Sequence, residues 1–149
     1  MSARDVTLEA ALVLAAWNGG VALFGLYRWY YGRQSRAFWI GVRSGQVLAF
    51  AYALLAGVLY LAGDRPSSNL YYLYALLPVA IGFVAEQLRV ISADHVLSVR
   101  DLESAADVGG LPAAEQHEIV IAILRREMGV MAAAAFVVCF LALRAWGTY

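Results

Sequence analysis

The sequence predicts an all-α fold: an integral membrane bundle of four helices, the third and fourth extended beyond the bilayer as an antiparallel helical hairpin. Three observations predict it. Of 149 residues, 62% are hydrophobic and 15% charged, whereas soluble domains are about half apolar and about a quarter charged. The mean hydropathy is +0.67, and too few charges remain to cover a water-facing surface. Four runs of about twenty mostly apolar residues, the length that crosses hydrocarbon as helix, alternate with short polar segments. Between Arg89 and Glu127 nothing alternates with the period of a strand, and one domain is expected at this length.

The first span is predicted over 6–30. Arg4 is accompanied by Asp5 and Glu9, a poor start for a cleaved signal, and the apolar run continues past Asn18 to Tyr27, so a retained helix is expected. Ser35 suits the N-cap of a second span over 38–62. The segment GDRPSSN reads as a turn, and the third span runs over 70–91, with Pro78 and Gly82 as sites for a kink. The fourth covers 126–146.

Orientation follows from the arginines, which are all eleven of the basic residues. Arg28, Arg33 and Arg36 crowd the first loop without an acid, whereas the second loop holds Arg65 against Asp64. The first loop is therefore expected in the cytoplasm and both termini outside, in a prokaryotic cytoplasmic membrane. Aromatic belts agree: Trp29, Tyr30, Tyr31 and Trp39 at the inner face, and Tyr60, Tyr71, Tyr72 and Trp146 at the outer one.

Between the last two spans, residues 92–125 are predicted as a cytoplasmic hairpin turning at Gly109-Gly110. Leu88, Ile91, His95 and Val99 recur at helical spacing before the turn, as do Ile119 and Ile123 after it. Pro112 suits the start of a helix and Gly109 or Gly110 the end of one. The register predicts ion pairs from Asp94 to Arg125 and Arg126, and from Arg100 to Glu118. Asp101, Glu103 and Asp107 lie near the tip, where mixed charge suits a protein partner better than an anionic membrane.

Polar groups inside apolar spans ask for partners. Asn18, followed by Gly19 and Gly20, either lines a path or hydrogen-bonds across a close helix crossing. Arg43 and Gln46 are three apart, so they share a face of helix two. Counting from the outer turn sets Gln46 level with Glu86 and Arg43 level with Arg89. Ala132 to Ala135 are expected beside Glu86, which they could bury. Asn18, Arg43, Gln46, Glu86 and Arg89 are therefore the candidate ligand or path residues.

Composition and motifs weigh against other chemistry. A net charge of zero gives nucleic acid no electrostatic hold, and lone Cys139 makes no disulfide framework. His95 and His117 lack di-iron or zincin spacing, and about 10 Å of helix rise separates them in the predicted hairpin, so no metal site is assigned. No phosphate loop or nucleophile elbow is present, so no catalytic residue is named, an enzyme is the least favoured class, and no cofactor is specified. Two function classes follow. One is a small transporter, channel or lipophilic-ligand binder with a polar layer near the cytoplasmic side, expected to be oligomeric. The other is an accessory or scaffold subunit of a larger membrane complex, docking through its hairpin. Its expected partners are the lipid bilayer and either further copies of the chain or other membrane subunits.

Overall fold

The structure is a computed structural model and describes residues 2–149. Five helices follow in order: α1 Ala3–Tyr30, α2 Arg36–Leu61, α3 Leu70–Ser98, the short α4 Ala105–Gly109, and α5 Ala113–Thr148. No strand occurs among the described residues. Helices α1, α2, α3 and α5 are each long and apolar enough to cross a membrane. Local chemistry starts and stops them. Ser2 and Asp5 form a capping box on α1, and the Ser35 hydroxyl accepts from the Phe38 amide at 3.4 Å, as expected for the N-cap of α2.

Three helices end in the same way. Gly32 and Gly63 take positive φ after α1 and α2, and the amides of Arg33 and Asp64 reach back to the carbonyls of Arg28 and Leu59. After α3 the left-handed position is held by Asp101, at φ 57°, with the amide of Leu102 bonded to the carbonyl of Leu97 and that of Asp101 to Ser98. This is the Schellman closure, usually built on glycine. Aspartate also tolerates that conformation, and it stops α3 well before the glycine pair.

The predicted hairpin is therefore corrected. It does not turn at Gly109-Gly110: α3 stops at Ser98, a loop carries Asp101 and Glu103, and α4 precedes α5. Gln116 ties this connection to α5 by donating to the carbonyls of Gly109 and Leu111. Pro112 occupies the N-cap of α5. The hairpin's two arms are unequal, since α5 begins thirteen residues before 126 while α3 continues only seven past 91.

The long helices form a ring in the order α1, α2, α3, α5, and α5 packs extensively along both α1 and α3. Helix α2 is held more lightly by its neighbours. Small side chains carry the centre: Ala11, Ala49, Ala75, Ala132 and Ala142 are all buried, so the backbones approach closely. At Gly25 an added Cβ would stand 2.3 Å from the Phe38 ring, and at Gly45 it would stand 2.8 Å from Asn18 Oδ1. Gly41 and Gly45, four apart on one face of α2, thus seat Val21 and Asn18 of α1. Helix α3 runs unbroken through Pro78 and Gly82, and both of these residues line a small central cavity.

The two ends of the bundle differ. At the tail end, where α1 starts and α5 finishes, Tyr52, Tyr71, Tyr72 and Tyr149 stack edge to face. Tyr71 lies 4.9 Å from Tyr149 and 5.4 Å from Tyr72, centroid to centroid. Tyr149 also donates to Asp64 at 2.8 Å, and its carbonyl accepts from Ser67. The loop end, at the α1–α2 connection, carries the charges.

Candidate functional site

Arg43 and Gln46 lie one turn apart on α2, and Glu86 and Arg89 one turn apart on the facing part of α3. The Arg43 guanidinium donates to Gln46 Oε1 at 2.8 Å and to Glu86 Oε1 at 2.6 Å. Gln46 Nε2 donates to the same carboxylate oxygen at 2.8 Å. Arg89 Nε stands 3.2 Å from Glu86 Oε2, an ion pair without the alignment of a hydrogen bond. Its Nη1 reaches toward Glu127 of α5 at 4.0 Å. The Arg89 guanidinium also covers the Trp39 ring, 5.7 Å from its centroid.

Two guanidiniums thus face two carboxylates, and the cluster carries no net charge. Three helices contribute to it, with Glu86 at its centre. The Glu86 side chain keeps a quarter of its exposure while that of Arg43 keeps 52%, so the cluster lies at the edge of the bundle rather than in its dry middle. Of the five candidate path residues, the structure brings four together: Arg43, Gln46, Glu86 and Arg89.

Asn18 stands apart. It is buried, and its amide donates to the carbonyl of Leu14 within α1 at 3.0 Å, a local bond that the interhelical expectation does not describe. Its Oδ1 lies against Gly45. Asn18 and Gln46 both line the central cavity with Pro78, Gly82, Ala134 and Ala135. That cavity has about 20 Å³ of open volume, room for about one water molecule.

The alanine run packs beside Ala85, the neighbour of Glu86 in sequence, and not on the carboxylate's own partners. Ala134 and Ala135 face Gly82 and Pro78, about one turn deeper, while Ala85 packs on Met128, Met131 and Ala132. Glu86 is consequently held by cations and an amide, not enclosed by methyl groups.

The predicted ion pairs of Asp94 with Arg125 and Arg126, and of Arg100 with Glu118, do not form among the described residues. Helical geometry gives the reason. Residues two apart point about 200° round from each other, so once Glu127 faces Arg89 on α3, Arg125 faces α1. There its guanidinium covers the Trp29 ring at 5.6 Å. Arg100 is carried away by the turn after Ser98.

Of the three tip carboxylates, two serve the fold locally. Asp101 closes α3 through its backbone. Asp107 accepts from the amides of Glu103 and Ser104 and from the Ser104 hydroxyl, at 2.8–3.1 Å, and these donors hold its carboxyl below the usual value. Glu103 is exposed, as are Asp94, His95 and His117. No group of three metal-ligating side chains occurs among the described residues.

Sequence reasoning missed Glu127 and Trp39 as members of the polar cluster. It also missed the glycine pair of α2, although the spacing Gly41-Val-Arg-Ser-Gly45 is the small-residue signature of a close crossing. Comparison with protein-family models, with curated proteins and with solved structures gave no match.

Proposed function

We propose that the chain is a non-catalytic membrane scaffold or accessory subunit, in which the polar layer is a fixed clasp between helices and the aqueous loop region is the working surface. The observation that carries this reading is the neutral four-charge cluster. Every charge that would line a path already has an opposite charge beside it within this chain, and Gln46 spends both ends of its amide on the same network. An anion would have to displace Glu86 from two guanidiniums, and the adjoining cavity takes about one water.

Helix α2 explains the need for a clasp. It is the least embraced member of the ring, and in lipid there is no hydrophobic gain from pressing one apolar helix on another. Polar contacts and close glycine crossings then hold it. By contrast, Asp94, His95, Glu103 and His117 are exposed, with no ion pair among the described residues. With the first loop in the cytoplasm these groups face the cytosol, and both termini lie outside.

The test joins flux to partner capture. Vesicles holding the wild-type chain are expected to show no proton- or anion-driven flux above empty vesicles. Cross-linking in native membranes should recover the same partners with wild type and Glu86→Gln, and lose them with Asp101→Asn/Glu103→Gln. Asparagine keeps the left-handed tolerance at 101, so the turn survives. Flux that is abolished by Glu86→Gln would overturn this reading and restore the path.

A further inference from the structure

We infer that the groove between Trp29, Val96 and the face of α5 carrying Arg125 is a binding site for one anionic phospholipid, with the phosphate on Arg125 and Arg126. The inference rests on the reading that the four long helices cross a membrane. Three features of the groove point to this occupant.

The first is shape. Helix α1 ends at Tyr30 while α3 and α5 run on, which leaves a trough of about 510 Å³ over Ile121 and Ala122, walled by Val96 and Trp29. The trough lies on the aqueous side of Trp29, so it seats the headgroup, and the acyl chains run the other way, past Gly129 into the bilayer. The second is charge. Arg125 and Arg126 are exposed, and among the described residues neither makes an ion pair. Every other arginine of the polar layer is matched. The Arg125 guanidinium carbon lies 5.6 Å from the Trp29 ring centroid, and with no ion pair its N–H donors stay free for phosphate oxygens.

The third is depth. Trp29 lies against Gly129, where an added Cβ would stand 3.0 Å from its indole nitrogen, and indoles settle at the level of the lipid headgroups. The arginines beside it therefore stand where a phosphate would be. Arg33 and Arg36 in the neighbouring loop add to the same positive field. Glu118 also lines the groove, but it is seven residues from Arg125, about 10 Å by helix rise. At that distance, on the aqueous side, salt screens it from the phosphate. Basic pockets between helices at this level are suited to anionic headgroups.

Native mass spectrometry from vesicles of equal phosphatidylglycerol and phosphatidylcholine tests the site. The wild-type chain should keep one phosphatidylglycerol. Arg125→Gln/Arg126→Gln should weaken retention about thirtyfold, roughly fivefold for each arginine lost. Trp29→Ala should weaken it less, and Arg65→Gln, at the other end, should leave it unchanged. Inorganic phosphate added to the detergent extract should not release the lipid; release would mark a site for soluble anions and overturn the inference. Equal retention of both lipids, or retention by the double variant, would also overturn it. If the chain is recovered without detergent in the soluble fraction, the membrane reading itself has failed, which separates that failure from the failure of the site.

Discussion

The loop end and the tail end of this bundle solve the same problem with opposite chemistry. At the loop end, Arg43, Gln46 and Glu86 hydrogen-bond one another across two helices, and Arg89 adds ion pairs to Glu86 and to Glu127 of a third, although its Nε has no aligned acceptor. At the tail end the side chains are just as polar by name, but Tyr52, Tyr71 and Tyr72 bury their hydroxyls without an aligned hydrogen bond. What holds them is ring packing, with Tyr52 and Tyr71 at 6.4 Å and 80°. Edge-to-face stacking adds about 0.5–1.5 kcal/mol per pair beyond burial. One end depends on pairing, so removing one member harms the rest. The other depends on shape, and its polar atoms are incidental to it.

The largest expected effect breaks the loop end. Glu86→Gln keeps the volume but leaves Arg43 and Arg89 facing each other with only Glu127 in balance. Exposed pairs are worth less than about 1 kcal/mol, while breaking a buried pair costs about 3–5 kcal/mol. Glu86 is partly exposed and has three partners, so a loss of about 2 kcal/mol is expected from unfolding in mixed micelles. Arg43→Met/Glu86→Met removes a matched pair and leaves Arg89 with Glu127. It should recover at least half of that loss, because apolar replacement of a whole pair is close to neutral. A double variant no more stable than Glu86→Gln would show that the cluster is valued for its charges and not for their balance.

A smaller effect of opposite sign is expected at the tail end. Tyr71 is 2% exposed, and Tyr71→Phe removes a hydroxyl that is desolvated without an aligned bond. Stability should rise by up to about 1 kcal/mol, with Tyr52→Phe following the same direction. A clear loss in the same micelle titration would mean that the tail end is also held by hydrogen bonds, and the contrast between the two ends would collapse.

The contrast was half legible in the sequence. Counting along apolar runs found four spans and set Gln46 level with Glu86, because helix rise is regular and both spans could be counted from one short turn. Arg43, Gln46, Glu86 and Arg89 do lie together at the loop end, and Asn18, the remaining candidate, does not join them. Counting from the far turn was less safe. The glycine pair at 109–110 looked like the turn of the hairpin, but Asp101 in the left-handed conformation ends α3 first. Counting from that turn also passed over Glu127, which reaches Arg89. The tail end was visible only as an aromatic belt. Composition shows that tyrosines gather there, but burial of their hydroxyls depends on α1 and α5 closing over them.

The smallest expected effect separates the connection from both ends. Asp107 holds α4 by accepting three hydrogen bonds from Glu103 and Ser104, and these lower its carboxyl below the ordinary 3.8. A carboxyl whose pKa is lower folded than unfolded binds its proton more readily in the opened state. Its contribution is therefore fully present above about pH 4 and is lost as pH falls through the lowered folded value. Amide protection of residues 103–109 should stay level from neutral pH down to about pH 4, then decline on further acidification. Asp107→Ala should reproduce that decline at neutral pH, leaving α1, α3 and α5 protected. Gln116, bonded to the carbonyls of Gly109 and Leu111, anchors the far side of α4, so the opening should stop there. If protection in α3 and α5 falls with it, the connection is part of the loop-end clasp and acidification of one exposed carboxyl would loosen three helices.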